Sequence, residues 1–320
     1  MGAVTNSDVK TGKPNLEVFS STLQQLASTD RDIVVVTSDS RGSGKLVPFA
    51  QKFPKQLVEI GIAEQNLVGV AAGLASGGKK AFAVSPACFL TARALEQIKN
   101  DVAYSDNPVK LVGISAGVSY GALGSTHHSL HDFAALRAIN NLIVVAPADN
   151  YETTESIKQA AALQKPIYLR FGKKNMPDLG STETFKFGKG RVIRRGSDIA
   201  FIATGEAVHP ALTAATKLES AYNISATVIS MHTIKPLDTE LIESVASTCR
   251  AIVTVEEHSI NGGLGEACAS FLMQNGFRLP FRIVGIPDEY TITGSQIDIF
   301  NHYGISEAGL TETALKLLKA

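Results

Sequence analysis

The sequence has no excess of either charge, no tryptophan, few cysteines and no long apolar run. Lys plus Arg and Asp plus Glu number 30 each, which argues against a protein that holds nucleic acid or an anionic membrane by electrostatic attraction. The three cysteines, Cys88, Cys249 and Cys268, show no metal-binding or redox spacing, so we expect them to be reduced and buried in a cytoplasmic protein. The polar N-terminus lacks an apolar signal core, and no apolar stretch reaches membrane-spanning length. We therefore expect neither export nor anchoring in a membrane.

The composition is that of a soluble enzyme with a large buried sheet. Of the 320 residues, 44% are hydrophobic and 19% are charged, the usual balance for such a protein. A chain of this length is too long for one small core and suits two domains.

Short apolar, β-branched runs alternate with helical periodicity along most of the chain. Strands are predicted at 33–37, 57–62, 81–85, 110–115, 142–146 and 167–170, and a second alternation begins at 199. Such alternation predicts parallel sheets covered by helices on both faces. The predicted fold class is α/β, with two doubly wound, mostly parallel-sheet domains. The predicted division is a flexible N-terminus at 1–14, a first domain at 15–172, a polar linker at 173–196 and a second domain at 197–320.

One acidic residue, Glu64, lies between two apolar runs in the segment Leu57-Val-Glu-Ile-Gly-Ile-Ala-Glu-Gln-Asn-Leu67. A strand pattern precedes it, and a helix rich in small residues follows. A carboxylate at such a junction lies at the edge of a buried sheet, where its surroundings set its proton affinity. The other interpretation is an acidic residue in a first helical turn, stabilised by the helix dipole.

Two further segments also follow predicted strands. Ser85-Pro-Ala-Cys-Phe-Leu-Thr-Ala-Arg93 contains Phe89, which is either an ordinary core residue or an aromatic face for a flat heterocycle. It also contains Arg93, which either contacts substrate or pairs with an acid at the helix surface. The segment Ser119-Tyr-Gly-Ala-Leu-Gly-Ser-Thr-His-His-Ser-Leu-His-Asp132 places His127 and His128 just before a helix. Its Ser129 and Asp132 have the spacing of a capping box.

Arg170 is a candidate for binding phosphate, since guanidinium is planar and permanently charged, and Arg41 is a further candidate for contact with substrate. Arg170 ends the last strand of the first domain, and Arg41 lies in Asp39-Ser-Arg-Gly-Ser-Gly-Lys45. For Arg170, an ion pair with a carboxylate is an equally good interpretation.

The Ile-Gly-Ile-Ala-Glu-Gln run, the Phe89 segment and the Gly-x-Thr-His loop together resemble the transketolase family of thiamine-diphosphate enzymes. The resemblance covers nearly the whole chain and matches the pyrimidine-binding and C-terminal domains of that family. It implies that Glu64 bonds to the aminopyrimidine ring of the cofactor and that Phe89 stacks on this ring. It also implies that His127, with His128, orients sugar hydroxyls. Arg170, Arg41 and Arg93 would contact the substrate.

The family also uses a diphosphate-binding domain, marked by Gly-Asp-Gly, and this motif is absent from the sequence. The resemblance therefore implies the C-terminal subunit of a split transketolase. A partner subunit would carry the diphosphate domain and hold Mg²⁺ or Ca²⁺, and we expect no metal site in this chain. Paired sites of this kind favour an α2β2 heterotetramer. The implied reaction is transfer of a two-carbon ketol unit from a ketose phosphate to an aldose phosphate.

Three alternatives remain open. A deoxyxylulose-phosphate-synthase-like activity would decarboxylate pyruvate, and the Arg-Gly-Ser-Gly and Ala-Glu-Gln segments suit it. The β subunit of an oxoacid dehydrogenase would require a lipoyl-bearing partner. A noncatalytic relative would keep the fold alone; it is favoured by Leu123, which stands where the family often has an acid, four residues before His127.

Overall fold

The structure is a computed structural model that describes residues 10–180 and 184–319. The helices and strands up to residue 180 are, in chain order, β1 Thr11–Pro14, α1 Asn15–Thr29, β2 Ile33–Thr37, α2 Val47–Lys52, β3 Leu57–Glu59, α3 Glu64–Ser76, β4 Lys80–Pro86, α4 Ala87–Arg93, α5 Leu95–Gln97, β5 Lys110–Ile114, α6 Asp132–Arg137, β6 Ile143–Val145, α7 Asn150–Ala162, β7 Ile167–Phe171 and β8 Asn175–Pro177. A π-helical stretch, Ile98–Tyr104, continues α5, and the turn Gly121–Thr126 is 3₁₀-helical.

From residue 184 onward the order is β9 Arg191–Arg194, β10 Ile199–Ala203, α8 Val208–Tyr222, β11 Ala226–Ser230, β12 Thr233–Lys235, α9 Thr239–Thr248, β13 Ala251–Ser259, α10 Leu264–Gln274, β14 Phe281–Ile286, α11 Gln296–His302 and α12 Glu307–Lys319. None of the helices in the described ranges combines the length and the hydropathy that a membrane span requires.

Two sheets carry the fold. The first has the strand order β12-β6-β7-β5-β4-β2-β3, and the second has the order β14-β13-β10-β11-β9. All neighbouring strands are parallel except for β12 beside β6 and β9 beside β11. Strands such as β2, β5 and β7 are buried along their whole length, as expected when helices cover both faces of a parallel sheet. The predicted fold class of two mostly parallel α/β domains is confirmed.

The two halves are joined by more than a linker. Strand β12 comes from the second half of the chain, yet it pairs antiparallel with β6 at the edge of the first sheet. In the segment predicted as flexible N-terminus, residues 11–14 form β1, which pairs antiparallel with β8 of the predicted linker. Residues 1–9 of that segment lie outside the described part of the chain. The three cysteines are buried and free, as predicted.

Candidate active site

The candidate residues gather at the carboxyl edge of the first sheet. Glu64 follows β3, Phe89 lies in α4 directly after β4, and His127 lies in the loop after β5. In a parallel sheet the carboxyl ends of the strands share one edge, and ligands bind there where the strand order reverses. Here β3 and β4 lie on opposite sides of β2, so the segments that carry Glu64 and Phe89 flank this reversal.

Glu64 is the first residue of α3, and its side chain is only 4% exposed. The preceding turn contains Gly61 at a φ of +81°, a conformation that costs glycine little and other residues more. Both carboxylate oxygens lie 3.1 Å from Nη1 of Arg93. Arg93 therefore pairs with an acid, which was one of the two interpretations of this residue. The acid, however, is buried in the site and does not lie at the helix surface.

A continuous row of side chains extends from this ion pair. The guanidinium carbon of Arg93 lies 4.3 Å from the ring centre of Phe89. The imidazole of His127 then contacts Phe89 and Tyr120 edge-on, with ring centres 5.4 Å apart in each pair. Finally, Nζ of Lys173 lies 4.0 Å from the ring centre of Tyr120. The row therefore runs in the order Glu64, Arg93, Phe89, His127, Tyr120, Lys173.

Two members of this row, Tyr120 and Lys173, were missed by the sequence analysis. Burial raises the pKa of the Tyr120 phenol, and burial together with the nearby charge of Lys45 lowers the pKa of Lys173. Lys173 follows the end of β7 by two residues, and its place after a central strand was the signal that could have identified it. A cation thus stands at the end of the row beside the histidine loop.

The neighbouring histidines have different surroundings. His127 is half-buried, and its Nδ1 lies 3.0 Å from the Thr126 hydroxyl. His128 is buried: its Nε2 donates to the carbonyl of Gly121 at 3.0 Å, so its Nδ1 accepts from the hydroxyl of Thr291 at 2.6 Å. Burial lowers the pKa of His128, which agrees with a neutral ring. The structure places His127 in the row, whereas His128 connects the loop to the second domain.

Arg170 does not lie in the row. Its side chain is buried, Nε donates to Asp132 Oδ2 at 2.8 Å, and Nη2 donates to the carbonyl of Glu257 at 2.7 Å. Burial by itself would raise the pKa of Asp132, but Arg170 lowers it below its ordinary value. Of the two interpretations of Arg170, the ion pair with a carboxylate is the one that this geometry shows. A role in phosphate binding stays a prediction.

The predicted capping box of Ser129 and Asp132 is wrong. His131 precedes α6 without a side-chain cap, and Asp132 is buried, where it accepts hydrogen bonds from Tyr168 and Arg170. A carboxylate that faces a buried guanidinium is stabilised more strongly there than at a helix terminus. The local sequence pattern did not reveal this partner.

Arg41 lies in the loop after β2. Its side chain is half-exposed, and Nε lies 3.0 Å from Glu59 Oε2. The same carboxylate accepts from the backbone N–H groups of Asp39 at 2.7 Å and Gly61 at 3.1 Å. Glu59 thereby ties the Arg41 loop to the turn that leads into Glu64. The structure does not bring Arg41 into the row, and its predicted substrate contact stays a prediction.

A cluster of buried acids from the second domain was also missed. Glu257 and Glu206 both accept from the side-chain amide of Gln296, at 2.5 and 2.6 Å. Burial and the proximity of Glu206 raise the pKa of Glu257 to about 8. The sequence signal that could have identified this cluster is the pair Glu256 and Glu257 near the end of the apolar strand β13, because charged residues are rare in buried strands. This cluster lies against the first domain at Arg170.

Comparison with known proteins agrees with this architecture. Residues 14–178 match the pyrimidine binding domain of transketolase, and residues 188–310 match the transketolase C-terminal domain. The chain therefore belongs to the transketolase family.

Three comparisons describe its relatives. The chain is 46% identical over 303 residues to a subunit of apulose-4-phosphate transketolase from Phocaeicola vulgatus, covering 94% of this chain and 96% of that one. A solved split-gene transketolase, described as an inactive β4 tetramer, superposes with a TM-score of 0.85 at 35% identity and covers 96% of this chain and 99% of that one. 1-Deoxy-D-xylulose-5-phosphate synthase of Heliobacterium modesticaldum is 37% identical over 324 residues, which span 98% of this chain but 50% of the synthase. The similarity to a transketolase subunit therefore extends over nearly the whole of both chains.

The residues around Glu64 fit the pyrimidine half of thiamine diphosphate. A cleft of about 620 Å³ is lined by residues 62–66 and Arg93. It contains the buried carboxylate of Glu64, and Arg93 connects this carboxylate to the aromatic face of Phe89. These are the two groups that a flat, nitrogen-containing ring needs, one for a hydrogen bond and one for stacking. In the described residues, no group of three or more His, Cys, Asp or Glu side chains is placed to hold a metal ion.

Proposed function

We propose that this chain is the C-terminal subunit of a split transketolase. A partner subunit supplies the diphosphate-binding domain with Mg²⁺ or Ca²⁺, and the cofactor lies between the two subunits, in an α2β2 heterotetramer. The assembled enzyme transfers a two-carbon ketol unit from a ketose phosphate to an aldose phosphate. The observation that carries the proposal is the row of side chains from Glu64 to Lys173. Along this row lie a carboxylate, an aromatic face, an imidazole and a cation, in that order.

When bound, thiamine diphosphate supplies the carbon–carbon bond chemistry, and the residues of this chain supply positioning and proton affinity. Glu64 holds a proton at the ring nitrogen of the pyrimidine. Its burial makes that hydrogen bond stronger than the same bond in water. Phe89 covers one face of the ring and excludes water from it. His127, beside Phe89, is within reach of the hydroxyl groups of a sugar bound next to that ring.

A phosphorylated donor follows from the relatives and from the charge at the end of the row. The relatives at 46% and 39% identity are both named as subunits of apulose-4-phosphate transketolase, so apulose 4-phosphate is the first donor to test. Lys173 lies beyond Tyr120 at the far end of the row. We propose that its ammonium group attracts the phosphate of the sugar, since the side chain is partly exposed and none of the carboxylates in the described residues forms an ion pair with it.

A second candidate is the decarboxylation of pyruvate, as in deoxyxylulose-phosphate synthases. The 37% identity to one such synthase over nearly the whole of this chain favours keeping it. The two candidates differ in the donor, so one set of assays separates them.

The test is reconstitution with the partner subunit. The two subunits are purified together, supplied with thiamine diphosphate and Mg²⁺, and assayed with apulose 4-phosphate or with pyruvate as donor and an aldose phosphate as acceptor. Ketol transfer from the sugar phosphate supports the proposal, and product from pyruvate selects the second candidate. Glu64→Gln should lower the rate by at least about a hundredfold, the usual effect of losing a proton-transfer group. A variant with full activity would remove Glu64 from the proposed role.

A further inference from the structure

The guanidinium of Arg93 lies between the two groups that the pyrimidine ring would use. Its Nη1 is 3.1 Å from both carboxylate oxygens of Glu64, and its central carbon is 4.3 Å from the ring centre of Phe89. A flat group that bonds to this carboxylate and stacks on the face of Phe89 that Arg93 covers would occupy the same volume. The guanidinium is itself such a group, since it is planar, donates N–H hydrogen bonds and stacks on aromatic faces.

We propose that Arg93 is a displaceable placeholder for the pyrimidine ring, which closes the site until the cofactor enters. This inference rests on the proposed function, in which Glu64 and Phe89 hold that ring. Cofactor binding then exchanges one partner of Glu64 for another, and the side chain of Arg93 must swing away from Phe89 in the same step.

The need for a placeholder follows from the burial of Glu64. Its side chain is 4% exposed, and within the described residues Arg93 is its only side-chain hydrogen-bond partner. A buried carboxylate without a partner is costly, because neither water nor a cation compensates for its lost hydration. Arg93 therefore stabilises the site when no ring is bound. The bound ring takes over that hydrogen bond, so Glu64 is never left unpaired.

The geometry also makes Arg93 easy to displace. Its side chain is 50% exposed, and a single nitrogen serves both oxygens of Glu64, so the stronger two-nitrogen fork is not formed. An ion pair whose cation lies half in solvent opens more readily than one whose two members are both buried. Arg170 provides the contrast, since it is 5% exposed and bonds to Asp132, Ser129 and Glu257. The side chain of Arg93 is long and flexible and lies at the end of the short helix α4, so it can rotate away from Glu64.

The two possible roles of Arg93, placeholder or contact with cofactor or substrate, predict different effects on cofactor affinity when the guanidinium is removed. If the closed state holds most of the population, the apparent dissociation constant exceeds the intrinsic one by the inverse of the open fraction. Removing the guanidinium then tightens binding. If instead Arg93 remains in place and contacts the cofactor or substrate, its removal weakens binding or leaves it unchanged.

The experiment measures binding of thiamine diphosphate by calorimetry to the complex of this chain with its partner, in the presence of Mg²⁺ and without substrate. Arg93→Met should bind the cofactor about three- to tenfold more tightly than the wild type, the range for a site that is about 70–90% closed. Arg93→Lys should lie between the two, because it keeps the charge but loses the flat stacking surface. Arg250→Met is the matched control: Arg250 is 66% exposed and faces Asp198 at 3.8 Å in the second domain, so binding should not change.

A second measurement uses thermal unfolding of the chain alone, without cofactor. Arg93→Met should unfold at a lower temperature because it leaves the carboxylate of Glu64 unpaired, and the double variant Glu64→Gln/Arg93→Met should recover most of that loss. Should Arg93→Met fail to fold, Arg93→Gln serves in both measurements. Unchanged or weaker cofactor binding by the Arg93 variants, beside normal binding by the wild type, overturns the placeholder alone. Absence of cofactor binding in the wild-type complex overturns the proposed function.

Discussion

The carboxylate of Glu257 packs directly against the backbone of Gly117. A β-carbon at Gly117 would lie 2.1 Å from Cδ of Glu257, and this glycine has a φ of +61°. Glu257 of the second domain can therefore be buried at this position only because glycine has no β-carbon. Gly172 and Glu206 repeat the relationship, since a β-carbon at Gly172 would lie 1.6 Å from Glu206 Oε1.

We expect Gly117→Ala to lower the free energy of unfolding by about 2–4 kcal/mol, because a left-handed backbone and a steric clash are combined. Gly276→Ala is the matched control: its φ is +77° but nothing lies within 4 Å of the added carbon, so only the backbone cost of about 1 kcal/mol applies. Urea denaturation measures both. Equal losses in the two variants would show that the contact with Glu257 adds nothing.

The stability of the interface between the domains should depend on pH through Glu257. Burial and Glu206 raise its pKa from an ordinary 4.5 to about 8, so the folded chain binds a proton that the unfolded chain releases. Stability is therefore greatest below pH 4.5 for this group and falls as the pH rises towards 8. Glu257→Gln should flatten the decrease between about pH 6.5 and 8.5 in urea denaturation. A slope unchanged from wild type would exclude Glu257 as its source.

His258 acts in the opposite direction and in a different pH range. Burial lowers its pKa from 6.5 to about 4, so the stability it contributes is lost as the pH falls from 6.5 towards 4. Measurements above pH 6.5 therefore separate the two groups. Glu256, whose pKa burial raises to about 7, contributes with the same sign as Glu257, and Glu256→Gln measures its share.

Arg170 is expected to stabilise the fold. We expect Arg170→Gln to cost about 3–5 kcal/mol of unfolding free energy, since the carboxylate of Asp132 is left buried without its cation. The double variant Arg170→Gln/Asp132→Asn should lose less than the sum of the single losses. Denaturation of the three variants gives the coupling. A stable Arg170→Gln enzyme with a raised KM for sugar phosphates would instead support the predicted role in phosphate binding.

The adjacent histidines provide a paired test. His128→Ala should lower the melting temperature, because the ring joins Gly121 and Thr291 across the domains, and buried hydrogen bonds of this kind contribute about 1 kcal/mol each. His127→Ala should leave the melting temperature nearly unchanged and lower kcat/KM for the ketose by about ten- to a hundredfold, the effect of losing one or two polar contacts. The opposite assignment of effects would contradict the roles proposed here.

Lys173 is tested by the charge of the donor. Lys173→Ala should raise the KM for a ketose phosphate about five- to tenfold, as expected for a lost, partly exposed contact between ammonium and phosphate. The KM for the same ketose without phosphate should not change. An equal effect on both donors would indicate that Lys173 acts through Tyr120 and not on phosphate.

Much of the fold and part of the site could be predicted from local pattern. The strand at 33–37 was predicted with its observed bounds, since five consecutive apolar or β-branched residues suit a strand buried on both faces. The position of Glu64 at a strand-to-helix junction could be predicted because the apolar pattern of a strand changes there to the periodicity of a helix. The strand β12 was not predicted, because its three residues carry no pattern and its pairing with β6 joins segments distant in sequence.

The sequence by itself determined the order of strands and helices, and therefore which loops lie at the carboxyl edge of the first sheet. Only the tertiary structure decided which charges meet there. Arg93 ends a helix and Arg170 lies near the end of a strand, yet one faces Glu64 half in solvent and the other is enclosed by Asp132 and Glu257. The physical reason is that the partner of a charge is chosen by distance and burial in three dimensions, and residues 29 to 87 positions apart in sequence supply it.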